Sequence, residues 1–281
     1  TYGIGHTDGH LQSGVISTFF SSDSGYLILE DVENNINLTR TNEASHIAGI
    51  ISMIKNVPDS DEPNVILNNV TNNGIINSYC LTGSGGIIGQ VFGGNVSFNN
   101  VANTGNIIAS GTSNYHYGGF IGDNYSKKIT IRNSYNSGNI DIQTNANQSY
   151  VGGLIGDDEG KVTIIDNCFN SGNIVHKYVA LCTGAISNGF PCSNTSDNAG
   201  GLIAFTKSNI SITNSYNTGN IILSSRRVGG IAGSINTYPY PEEPGIIDHC
   251  YNTGNIITDS YMGGLIYEGS SVVITNSYNN P

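Results

Sequence analysis

Short apolar, β-branched runs recur along the whole chain and are parted by glycine and asparagine. In one unit of about 34 residues three such runs follow one another, for example Val151–Ile155, Val162–Ile165 and Asn173–Val175. Runs this short and this rich in Ile and Val predict strands, and the Gly or Asn between them predicts turns. Three strands to a unit predict a coil of a β-helix.

Two signals mark the unit. A diglycine-like anchor stands at Ala48–Gly49, Gly85–Gly86, Gly118–Gly119, Gly152–Gly153, Gly200–Gly201, Gly229–Gly230 and Gly263–Gly264. Between anchors runs NSYNSGNI from Asn133, NCFNSGNI from Asn167, NSYNTGNI from Asn214 and HCYNTGNI from His249. Looser copies start at Asn68 and Asn99, and NSYNN starts at Asn276. From the second anchor glycine to the motif glycine the distance is 19 residues in three successive units (86 to 105, 119 to 138, 153 to 172) and 18 in the next (201 to 219).

That distance lengthens to 25 and 24 residues only where KNVPDSDEP (55–63) and NTYPYPEEP (236–244) intervene, and these stretches hold five of the seven prolines. Pro191 lies in a third insert, 177–198, and Pro281 is the last residue. Proline removes a ladder donor, so its confinement to inserts is what continuous strand ladders require. The expected fold is all-β, a β-solenoid (parallel β-helix, right-handed by the usual sense of parallel crossovers) of about seven coils with three short strands per coil. Residues 1–46 are expected to form an N-terminal cap or assembly segment, and 47–281 the repeats.

Stacking at about 4.8 Å per coil places equivalent residues above one another. Two ladders are expected. One is aromatic, through Tyr135, Phe169, Tyr216, Tyr251 and Tyr278; the other is of amides, through Asn136, Asn170, Asn217 and Asn252 with Asn72, Asn103 and Asn279. Both are read as links between coils rather than ligand contacts, and these ladder asparagines as residues that tolerate a left-handed turn beside glycine.

Composition narrows the partners. Ten Lys and Arg stand against 21 Asp and Glu, a formal charge of -11, so nucleic acid is not an expected partner. No apolar run is long enough to span a bilayer, and the chain starts at Thr1 without the pattern of a signal peptide. It is expected to be soluble and processed or excerpted.

The pattern GG-L-I-G followed by I-T-N-S-Y-N-T-G-N-I resembles the GLUG motif, with Gly152–Gly156 and Ile164–Ile174 the nearest copy. That motif is a short repeat of large bacterial surface proteins, including adhesins and immunoglobulin A peptidases, and the resemblance covers about residues 47 to 280. It implies a structural spacer or adhesive stalk displayed outside the cell or on its surface. It carries over no catalytic residue, because the peptidase members need HExxH and this sequence contains none.

Candidate chemistry is sparse. His6 and His10 lie four apart in HTDGH, but Gly5 and Gly9 oppose a helix and two ligands do not close a zinc site. Asp157, Asp158 and Glu159 follow one anchor, with Asp123 in the comparable place one coil earlier; a solvated turn is the ordinary reading, Ca2+ binding the alternative. Otherwise no cofactor is expected. Arg132 and Lys161 flank strands where a polysaccharide lyase or hydrolase site could be sought, yet no charged residue recurs in the motif, so the chain is expected not to be an enzyme.

Cys182 and Cys192, ten residues apart in the third insert, are the expected disulfide. Cys168 and Cys250 share a motif position two coils apart, beyond disulfide reach, and with Cys80 are expected to be buried small apolar residues. An oxidising compartment is expected. Sequons such as those at Asn37 and Asn124 indicate little in a chain so rich in Asn, Ser and Thr.

Open strand edges at the ends of a solenoid pair with other chains unless capped. The functional expectation is therefore a non-enzymatic extracellular structural or adhesive protein, a filament or stalk subunit associating head to tail. The alternative is a surface adhesin that binds a cell-surface glycan or host protein through its inserts, with Tyr238 and Tyr240 as glycan contacts.

Overall fold

The computed structural model describes residues 12–20, 25–40, 46–57, 62–79, 82–110, 115–143, 149–176, 198–223, 227–236, 243–258 and 261–281. They form an all-β parallel solenoid. Each strand pairs in parallel with its counterparts in the preceding and following coils, so the sheets run along the solenoid axis.

One coil shows the plan. Tyr115–Gly118 belongs to a first sheet, Ile121–Tyr125 to a second, Lys128–Arg132 and Tyr135–Asn136 to a third, and Ile140–Ile142 to a fourth. The three runs read from the sequence are thus divided into five strand segments on four sheets. The first and second sheets have eight strands each. Gln12–Ser13, Ile16–Phe20, Leu27–Asn34 and Leu38–Thr39 build a coil ahead of the first anchor, in register with the next.

Two apolar cores fill the coil. One lies between the second and third sheets, around residues such as Phe98, Phe120, Ile121, Ile131 and Leu154. The other lies between the first and fourth sheets, around Ile47, Ile107, Tyr117, Ile140 and Val228. The ladder asparagines run at the waist between them. The amide nitrogen of Asn136 donates to Asn170 Oδ1 at 2.7 Å and to the carbonyl of Gly138 at 2.9 Å. The same pair of bonds recurs at Asn72, Asn103, Asn170, Asn217 and Asn252, all fully buried. Each buried amide spends both N–H groups, one on the next coil and one on its own turn.

The left-handed turn falls at a different asparagine. Asn133, Asn167, Asn214 and Asn276, the first residue of the motif, have φ between 46° and 54°, whereas the ladder asparagines are absent from the left-handed region. The corner between the two segments of the third sheet needs that conformation, which Asn adopts at low cost. Its side chains form an outer ladder, as in Asn167 Nδ2 to Asn133 Oδ1 at 2.8 Å.

Tyr135, Phe169, Tyr216, Tyr251 and Tyr278 stack as nearly parallel rings with centroids 4.7–5.3 Å apart. The inserts fall between strands of different sheets in the chain order. The first begins within the second-sheet strand Ile51–Val57 and the second follows the second-sheet strand Ala232–Ile235; the third lies between Ile174–His176 of the fourth sheet and Asn198–Gly200 of the first. Among the described residues no helix is long and apolar enough to cross a membrane.

Candidate functional site between the first and second sheets

At each diglycine the chain turns from the first sheet to the second, and small residues let the two approach. A Cβ on Gly122 would come within 2.4 Å of the Ser84 amide nitrogen, and one on Gly156 within 2.7 Å of that of Tyr117. The outward side chains of the two sheets therefore meet across a narrow crease. Along the first sheet this column reads Gly83, His116, Tyr150, Asn198; along the second it reads Gln90, Asp123, Asp157, Phe205. Gly83 leaves room for the acid, since a Cβ there would stand 2.7 Å from Asp123 Oδ2.

His116 and Asp123 lie seven residues apart across the Gly118–Gly119 turn, and Asp157 is the register partner of Asp123 in the next coil. His116 Nδ1 hydrogen-bonds Asp123 Oδ1 and lies 3.4 Å from Asp157 Oδ2. One ligand atom from each of the three side chains falls within 4.8 Å of the others. Asp123 and Asp157 are 2% and 3% exposed, and Asp157 Oδ1 is buried without a hydrogen-bond partner. The imidazole is held flat against Tyr150, ring centroids 4.8 Å apart. Tyr150 stacks in turn on Phe205, and Lys207 Nζ lies 5.5 Å from the Phe205 centroid.

Electrostatics follow from burying two carboxylates beside one imidazole. Burial, with the charges of Asp123, Glu159 and Asp158, pushes the Asp157 carboxyl up to about 7, against the opposing pull of His116. Burial alone would lower His116, but the hydrogen bond to Asp123 and the charges of Asp123, Asp157 and Glu159 outweigh it and raise its pKa. Tyr125 is raised by burial and then by the same acids.

The expectation of no cofactor beyond an alternative Ca2+ is corrected here: a histidine and two buried aspartates converge in an arrangement that could hold a metal ion. The acidic run expected as a Ca2+ alternative does not act together. Asp157 enters the crease. Asp158 turns inward, accepting from Asn124 at 2.7 Å and from Thr206 and Ser208 at 2.8 Å each. Glu159 pairs with Lys207. Arg132 ends the third-sheet strand Lys128–Arg132 and Lys161 precedes the third-sheet strand Val162–Asp166, so neither is on a crease strand. His6, His10, Cys182, Cys192, Tyr238 and Tyr240 lie outside the described residues.

No family model, curated protein or solved structure matches the chain, so what the crease can do is read from its own geometry.

Proposed function

We propose that this chain is a non-enzymatic structural or adhesive solenoid of the cell exterior, a filament or stalk segment that adds to further copies through the edges of its end coils. The observation that carries the reading is at the last coil. Met262 and Ile274 are 54% and 40% exposed, while their register partners one coil inward, Val228 and Ile247, are fully buried. These are core positions that a further parallel coil, of the same chain or of a second copy, would cover, and the strand edges beside them are rows of donors and acceptors suited to strand addition. The first coil offers the complementary edge, where Leu27, Leu29 and Val32 are half-buried while their register partners one coil inward, Val65, Leu67 and Val70, are fully buried. The GLUG resemblance adds surface display to this reading.

The repeated residues support a structural role. In the aromatic ladder each ring covers the face of the next, leaving edges outward, whereas a sugar is bound by stacking on an aromatic face. Every repeated amide is spent on the neighbouring coil.

Negative-stain electron microscopy across a concentration series, on the chain and on a Met262→Lys/Ile274→Lys variant, tests the reading. Filaments or end-joined rods that the variant loses are expected. Separate rods at every concentration, or filaments unchanged in the variant, overturn it.

A further inference from the structure

We propose that His116, Asp123 and Asp157 bind one divalent transition-metal ion of the Zn2+ class, held in the crease between the first and second sheets and across two successive coils. Three observations carry this independently of the function proposed above. The 3.4 Å between His116 Nδ1 and Asp157 Oδ2 matches the edge of a tetrahedron with bonds of about 2.1 Å, which is what Zn2+ takes with imidazole and carboxylate. Asp157 Oδ1 is a buried acceptor with no donor, and it belongs to a side chain already aimed at the imidazole. Finally, the imidazole is fixed by stacking on Tyr150, so binding asks only that the His116 Nδ1 proton leave and that its contact with Asp123 Oδ1 open to admit the ion.

The donor set selects the ion. Ca2+ takes six to eight oxygens, whereas one nitrogen and two carboxylates in a narrow crease suit a smaller ion that accepts imidazole. Two buried carboxylates beside a single imidazole lack positive charge, and a divalent ion supplies it. Three protein ligands leave one position for water or an outside donor, on the side where His116 retains 20% of its side-chain exposure.

The test uses the full chain stripped with EDTA and titrated with ZnCl2, or with CaCl2 and MgCl2, read by calorimetry and by thermal midpoint. The expected result is one Zn2+ per chain, a raised midpoint, and no comparable effect of Ca2+ or Mg2+. Asp157→Asn, which keeps the shape and removes the charge, should abolish the shift, while His6→Ala/His10→Ala should keep it. Should Asp157→Asn fail to fold, diethylpyrocarbonate labelling of the wild-type chain, mapped by peptide mass spectrometry, should show His116 protected by Zn2+. Absence of saturable Zn2+ binding, binding lost with the N-terminal histidines, undiminished binding in Asp157→Asn, or His116 left unprotected overturns the site.

Discussion

Gly119 lies so close to the side-chain amide of Asn136 that a Cβ at position 119 would stand 2.5 Å from Asn136 Cγ and 2.2 Å from the carbonyl oxygen of Gly153. The second anchor glycine and the ladder asparagine are therefore the two sides of one contact. It recurs in every anchored coil, as at Gly86 with Asn103 and Gly201 with Asn217. The backbone at Gly119 is not left-handed, so contact and not conformation excludes a side chain there. Gly119→Ala should force the waist apart and cost about 3 kcal/mol or more. In a chain of this size that is a thermal midpoint lower by roughly 5–10 °C. A midpoint within a degree or two of wild type would show that the waist yields.

The amide ladder makes a sharper prediction at its centre. Asn136 accepts from Asn103 and donates to Asn170 and to the Gly138 carbonyl. Removing it in Asn136→Ala leaves three buried groups without partners, at about 1–3 kcal/mol each. Asn136→Asp should be worse at neutral pH, because it sets a buried carboxylate oxygen against two acceptors. The terminal rung provides the control: Asn279 is exposed and only accepts from Asn252, so Asn279→Ala should cost less than about 1 kcal/mol. Denaturant melts of the three variants check the order; an Asp variant more stable than the Ala variant would be at odds with the assigned direction of the ladder.

The repeat was legible because coil stacking demands the same residue at the same place, and periodicity records that demand directly. Which asparagine takes the left-handed corner was not, since Asn133 and Asn136 are both Asn beside small residues and only the backbone separates them. His116 was illegible for the opposite reason. Its column holds Gly83, Tyr150 and Asn198 in neighbouring coils, so no period announces it. Asp123 and Asp157 share a repeat position and could be paired from sequence. The one signal for the histidine lies on the far side of the diglycine, where HYGGFIGD puts it seven residues before the acid.

Two outer aspartates tie coils together in a pH-dependent way. Hydrogen bonds from Asn214 and Thr213 hold the Asp166 carboxyl below its ordinary value, and those from Thr275, His249 and Asn276 hold Asp248 down at about 2. A depressed folded-state pKa means stabilisation that is present above the ordinary carboxylate value and is lost as pH falls toward the folded value. The thermal midpoint should therefore drop between about pH 4 and pH 2, and the drop should be shallower in Asp166→Asn/Asp248→Asn. Parallel pH profiles for the two chains would count against these links.

Cys168 and Cys250 are free and fully buried, with Ser215 in the coil between them. Burial pushes their thiols up to about 12 and about 11. Each Sγ donates to the carbonyl two residues back, Asp166 at 3.2 Å and Asp248 at 3.3 Å. The hydroxyls of Ser134 and Ser215 make the same bond to Arg132 and Thr213. Thiolate is the reactive form, so iodoacetamide at about pH 8 should leave both cysteines unmodified in the folded chain and label them in denaturant, read peptide by peptide. Because serine already fills this position one coil away on either side, Cys168→Ser should cost under about 1.5 kcal/mol, as a near-isosteric exchange that keeps its acceptor. A larger loss would mean that the sulfur's volume, rather than its hydrogen bond, holds that part of the core.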